Sequence, residues 1–242
     1  MAPRAFSSGW PSKSASKDSS AIDSAELARA RTAGAGMFVI GEPHGVYETP
    51  SVVYNLIVAV EARAVAYEWS HEEMDEPVQQ FLRLGTIDFE QLWALPASAE
   101  FFCGDGRITA GHFALLRRLR EEDRLDQVIV FDRLDEPSPT QDRFLRDREM
   151  AERLLRAWDG SVPLLVLTGG FHAQLHLAEG ETTAMRLARR QPELLTAMLA
   201  YTAGQCWSRG ALHDVSGQMP AAPIMLSVPR ASPAVVPGPR IS

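Results

Sequence analysis

Cysteine is scarce, with only Cys103 and Cys206 in 242 residues. Two cannot build a disulfide scaffold or a cysteine-based zinc site, and both lie among apolar or aromatic neighbours (FFCG, QCWS), so they read as buried, reduced thiols. No apolar run approaches the roughly 18 residues of a membrane span, and the opening MAPRAFSSGWPSKSASKDSS has no continuous apolar stretch of the kind a secretory signal needs. The expectation is a cytoplasmic protein without membrane association. Basic charge is also short: 24 Lys and Arg against 31 Asp and Glu give a net charge of −7, which argues against a broad nucleic-acid surface. There is no internal repeat, and no feature sets an oligomeric state. Neither a Gly-x-Ser-x-Gly elbow nor a cysteine with an adjacent histidine signature occurs, which speaks against serine or cysteine nucleophilic catalysis.

What is present is an alternation of short apolar runs and amphipathic stretches. Residues 1–20, rich in Ser, Lys and Pro, read as a disordered arm, and residues 230–242, with Pro every few residues, as an extended tail. Residues 21–229 read as a single α/β domain. Strands are expected at GMFVIG, AVAYEW, AEFFCGD, DQVIVFD, VPLLVLTGG and, at an edge, APIMLSVP. Helices are expected at AIDSAELARARTAG, TPSVVYNLIVAVEAR, HEEMDEPVQQFLRLG, FEQLWAL, TAGHFALLRRLREEDRL, TQDRFLRDREMAERLLRAWDG (ending at Gly160) and TAMRLARRQP. Thr49 is expected to cap the second of these, with Pro50 at its first position, while ELLTAMLAY fits either state. The alternation implies a mostly parallel central sheet with helices on both faces, and no Asn-Gly or Asp-Gly signal predicts a hairpin.

In an open sheet of this kind, ligands bind beyond the carboxyl ends of the strands. Ionisable residues stand at those ends. FVIG leads to Glu42 and His44, with Glu48 close behind; AVAYE delivers Glu68, FFCGD delivers Asp105 and Arg107, VIVFD delivers Asp132 and Arg133, and LLVLTGGFH delivers His172. Singly, each has a plain structural explanation: a strand-end acid as a helix cap, a histidine as a packed ring, Glu68 as an arginine partner. Together, two histidines and two glutamates at one edge point to acid–base chemistry. Weaker patterns are His172 with His176 at metal-ligand spacing if helical, Glu68 with His71, and His213 near Ser208.

The motifs resemble those of the erythromycin esterase family. GEPHGVYE is similar to its Gly-Glu-x-x-His-Gly motif with one residue fewer between Glu and His, FFCGD to its strand ending in Gly-x-Asp, LRDREMAERLLR to its Arg-Asp-x-x-Met-Ala helix, and LLVLTGGFHA to its late Asn/Gly-x-His strand. The wider superfamily includes ChaN-like haem-binding proteins and Tiki metalloproteases. The resemblance implies a metal-independent hydrolase of an ester, lactone or related acyl bond in a small molecule, natural product or peptide. His44 is then the general base, Glu42 or Glu68 orients it, and His172 polarises the carbonyl or protonates the leaving group. Glu48, Asp105, Arg107, Arg133 and Arg146 are candidate substrate contacts, Arg107 or Arg133 as an oxyanion stabiliser; Arg146 and Asp147 equally fit a structural pair. The alternatives are a Tiki-like enzyme with a divalent metal on the histidines and a carboxylate, a ChaN-like binder of haem, and a natural-product or peptide tailoring enzyme.

Overall fold

The computed structural model describes residues 36–88, 91, 92, 94, 106–133, 144–216 and 219–234. The expected arm, the 21–34 helix, the FFCGD strand with Cys103 and Asp105, and the tail beyond 234 lie outside the described residues.

In chain order the elements are β1 (Met37–Glu42), α1 (Thr49–Val60), β2 (Ala64–Ser70), α2 (His71–Leu84), α3 (Ala110–Glu121), β3 (Gln127–Asp132), α4 (Leu145–Ala157), β4 (Leu164–Gly169), α5 (Thr183–Ala188), β5 (Leu195–Tyr201), β6 (Gln205–Ser208), β7 (Ala211–Asp214) and β8 (Ile224–Val228). Six strands form one sheet in the order β3-β2-β4-β1-β5-β8. Every neighbouring pair in it is parallel, so the carboxyl ends share one edge.

The runs of β1 and β4 are apolar at nearly every position because both faces are covered. Phe38, Ile40, Val65, Tyr67, Leu165 and Leu167 pack with α1, α2 and α3 on one face. Met37, Val39, Ala64, Ala66, Leu164 and Val166 pack with α4 and α5 on the other. The period-two alternation of a strand thus sorts consecutive residues into two cores. The ambiguous ELLTAMLAY is β5, buried between β1 and β8.

Three expectations are corrected. Glu48, not Thr49, holds the N-cap position of α1, with Pro50 one residue further in; Thr49 Oγ1 is instead 2.8 Å from Tyr201 Oη on β5. The α4 helix ends at Ala157, where Trp158 turns extended and donates its Nε1–H to Val162 O at 2.8 Å, seating the ring in the core instead of prolonging the helix to Gly160. An antiparallel ribbon, β6–β7, stands apart from the main sheet. Its turn uses Arg209 and Gly210, both at positive φ (52° and 72°), the backbone that tight hairpins require.

Residues 230–234, expected to open the tail, are extended but fastened: Ala231 bridges Gly204 and Pro233 bridges Val46. Among the described residues no helix is long and apolar enough to cross a membrane.

Candidate active site

Glu68 stands in the carboxyl-terminal half of β2, where the pairing with β3 shifts register between Tyr67 and Ser70. It is 3% exposed, and an ionised carboxylate so placed costs several kcal/mol unless its oxygens are satisfied. They are. Oε2 accepts from Thr168 Oγ1 at 2.5 Å and from Gly169 N at 2.7 Å, both at the end of β4. Oε1 accepts from Arg146 at 2.8 Å. Arg107 adds a guanidinium nitrogen 3.5 Å from Oε1. Burial pushes the Glu68 carboxyl up, but the facing charges of His172, Arg107, Arg146 and His44 outweigh it and hold Glu68 well below the usual carboxylate range.

Asp132, at the end of β3, anchors both arginines. It accepts from Arg146 Nε at 2.8 Å and a terminal Arg146 nitrogen at 2.5 Å, and it also pairs with Arg107. Arg107 is held in turn by its own backbone, since Trp69 donates Nε1–H to Arg107 O at 3.0 Å. Burial works against the Arg146 charge, but the hydrogen bonds to Asp132 and the facing charges of Glu68, Asp132 and Asp147 outweigh it and lift its pKa above the ordinary value.

Two histidines flank Glu68. His44 Nδ1 lies 3.3 Å from Glu42 Oε1 and His44 Nε2 lies 3.9 Å from Glu68 Oε2. His172 Nδ1 lies 2.8 Å from Asp147 Oδ1 and His172 Nε2 lies 3.7 Å from Glu68 Oε1. Asp147 Oδ1 also accepts from Thr183 N at 2.7 Å and Thr183 Oγ1 at 2.8 Å. An oxygen already taking those donors is a fixed acceptor, so His172 donates Nδ1–H to it and presents a bare Nε2 toward Glu68 in its neutral form. The position a Cβ would take on Gly169 is 3.0 Å from His44 Nε2; glycine there leaves the ring its place. Burial pulls the His44 pKa down, and the hydrogen bond to Glu42 with the charges of Glu68 and Glu42 more than reverses this, so the net shift is upward.

The arrangement is thus two carboxylate–imidazole pairs, Glu42–His44 and Asp147–His172, aimed at one buried anion. A narrow cleft beside it, about 160 Å³ counting space open to solvent, is lined by Glu42, His44, Tyr67, Glu68, Trp69, Arg107 and Leu167. That is below the roughly 300–1,000 Å³ of pockets for drug-sized ligands. Among the described residues no group of three or more His, Cys, Asp or Glu has the geometry to hold a metal ion. Both oxygens of Glu68 are occupied by donors, a guanidinium among them, which disfavours a cation at that carboxylate.

The sequence candidates separate accordingly. Glu42, His44, Glu68, His172, Arg107 and Arg146 come together. Glu48 does not join them: its Oε2 accepts from Ser232 N at 2.8 Å. Arg133 turns to Glu149 at 3.0 Å. Asp105 lies outside the described residues. Residues 171–173 form a turn, so His172 and His176 are not a helical pair, and His176 is exposed. His71 donates to Asp132 O at 2.6 Å, and His213 faces Ser208 O at 2.8 Å on the exposed ribbon. Cys206 is buried, and burial pushes its thiol pKa up. Sequence reasoning overlooked Thr168 and Thr183; the Thr-Gly-Gly that closes β4 was the available signal for the first.

No protein-family profile and no curated protein sequence matches the chain. Solved structures do. A protein from Bacillus cereus superposes with a TM-score of 0.66 at 10% identity, over 90% of this chain and 94% of that one. The chain is similar to it in fold. A succinoglycan biosynthesis protein gives 0.64 at 10% identity, over 88% and 92%. The RRSP effector domain of a MARTX toxin from Vibrio vulnificus gives 0.51 at 15% identity, over 75% of this chain and 36% of that one. Identities this low carry the α/β architecture and not the chemistry, so the likeness to erythromycin esterases remains one of short motifs.

Proposed function

We propose that the chain is a hydrolase that cleaves an ester, lactone or related acyl bond with water activated by histidine and glutamate, without a metal. One observation carries this reading: His44 and His172, far apart in sequence, each bind a carboxylate through Nδ1 and each turn Nε2 toward Glu68, at 3.9 and 3.7 Å. An imidazole backed by a carboxylate is a general base when neutral and a general acid when protonated.

His44 Nε2 takes a proton from water, and the water oxygen bonds to the carbonyl carbon while the carbonyl π pair moves to oxygen. When the tetrahedral adduct collapses, the bond to the leaving oxygen breaks and protonated His172 gives it the Nε2 proton. The products are the acid and the alcohol, and a proton passes back from His44 to His172 through solvent. Glu68 is no nucleophile in this scheme, because both its oxygens are engaged; its fixed negative charge stabilises whichever imidazolium exists. Four carboxylates (Glu42, Glu68, Asp132 and Asp147) face two guanidiniums here, a surplus of negative charge that favours an imidazolium. Arg107 and Arg146 act chiefly by holding Glu68 in place. The small cleft suits a small molecule or an extended peptide or natural-product segment, not an enclosed macrolactone. The compartment we assign is the cytoplasm.

The test is a panel of ester, lactone and amide substrates offered to wild type, to exhaustively chelated wild type and to His44→Ala. Turnover should survive chelation and fall by about 10²–10⁴-fold in His44→Ala, with the melting temperature kept. A tightly held stoichiometric metal whose removal abolishes turnover would favour the metal-dependent alternative, and full activity in His44→Ala would end the proposal.

A further inference from the structure

We infer that Glu48 and the segment 231–234 form a strap that positions His44, an inference that rests on the reading of His44 as the base. His44 sits on the short connection between β1 and α1, and that connection is tied down along its length. Gly45 N donates to Gly106 O at 2.9 Å, and Gly45 O accepts from both Trp207 N at 3.0 Å and Ala234 N at 2.8 Å. Tyr47 N donates to Ser232 O at 2.8 Å, and Ser232 N returns a bond to Glu48 Oε2 at 2.8 Å. Val46 and Ala231, 1% and 2% exposed, belong to the same core.

Glu48 is the informative residue. It holds the N-cap position of α1 yet makes no side-chain bond to that helix. A cap side chain ordinarily satisfies one of its own helix's unpaired N–H groups; Glu48 spends its carboxylate on a residue 184 positions away. That bond leaves the side chain out of the helix's own hydrogen bonding and closes the strap onto the His44 connection. There is also no slack beneath it. Gly45 has φ +76°, and a Cβ there would lie 1.7 Å from Trp207 O. The backbones of the connection and of β6 touch, so a shift of the strap is passed to His44, the neighbour of Gly45. The groups facing the His44 ring, Glu42, Glu68 and Arg107, come from β1, β2 and the start of the connection to α3, so such a shift changes its contacts with all three.

The experiment compares Glu48→Ala with Glu48→Gln, reading kcat, KM and the NMR titration of the His44 ring. The alanine variant loses the acceptor; the glutamine variant loses only the charge, since its amide oxygen still accepts from Ser232 N–H. Glu48→Ala should lower kcat about tenfold with KM within about twofold, and move the His44 midpoint down toward that of a free imidazole, while Glu48→Gln restores both. A rise in KM shared by the two variants would make Glu48 a substrate contact and overturn the inference. So would a Glu48→Ala protein with lowered melting temperature but wild-type kcat and an unmoved His44 titration. Should Glu48→Ala not fold, Ser232→Pro removes the same bond from its other side and is read identically. The ring titration needs no substrate: if it shifts while His44→Ala still turns over, the strap stands and the hydrolase reading falls.

Discussion

Within the site each side chain has one task set by its neighbours. The contrast between the two histidine partners is instructive. Glu42 meets His44 at 3.3 Å, whereas Asp147 meets His172 at 2.8 Å with an oxygen that two Thr183 donors already fix. The Thr183 lock means that Asp147→Asn keeps an oxygen, not its NH₂, toward His172. The tautomer is retained and only the charge is lost. Kinetics should therefore show Asp147→Asn slowed about tenfold and Asp147→Ala by about 10²–10⁴-fold, the latter also destabilised by about 1–3 kcal/mol as Thr183 N–H loses its acceptor. Equal rates for the two variants would mean that Asp147 does not set the tautomer. The histidines and glutamates of this scale were legible because ionisable residues ended apolar runs. The donors Thr168 and Gly169 were not, since a buried threonine in an apolar run looks like core until its partner is known.

At the scale of elements, the parallel strands were legible because double burial leaves continuous apolar runs, and β5 was ambiguous for the same reason: LTAMLAY has no period to separate strand from helix. The ribbon escaped notice because Arg209 takes a positive φ that sequence rules assign to Asn, Asp or Gly. The bond from Ser232 N to Glu48 was not legible because Ser232 stands in a Pro-rich segment that reads as tail. A bond between residues 184 positions apart leaves no local periodicity in the sequence.

For the whole molecule, the buried titratable groups set how stability follows pH. His112 is fully buried against Tyr67 and Trp69, and burial lowers its pKa from 6.5 to about 4. The unfolded chain therefore binds a proton before the native one does, and stability falls as pH drops from about 6.5 to about 4, by roughly 3 kcal/mol. Glu68, held well below 4.5, contributes stability above its unfolded pKa that is lost as pH falls through its low native value. His44 has the opposite sign: its raised pKa contributes fully below 6.5 and is lost as pH rises through its native value. Denaturant unfolding across pH should give a maximum near the ordinary imidazole pKa, and His112→Gln should flatten the acid limb; an unchanged limb would assign acid lability elsewhere. The measurement that bears most directly on the molecule's chemistry is the double-mutant cycle of His44→Ala and His172→Ala on kcat/KM. Residues far apart in the chain that serve one reaction predict a double variant no slower than the slower single one. Losses that multiply as if independent, or wild-type turnover in either single variant, would contradict a shared site.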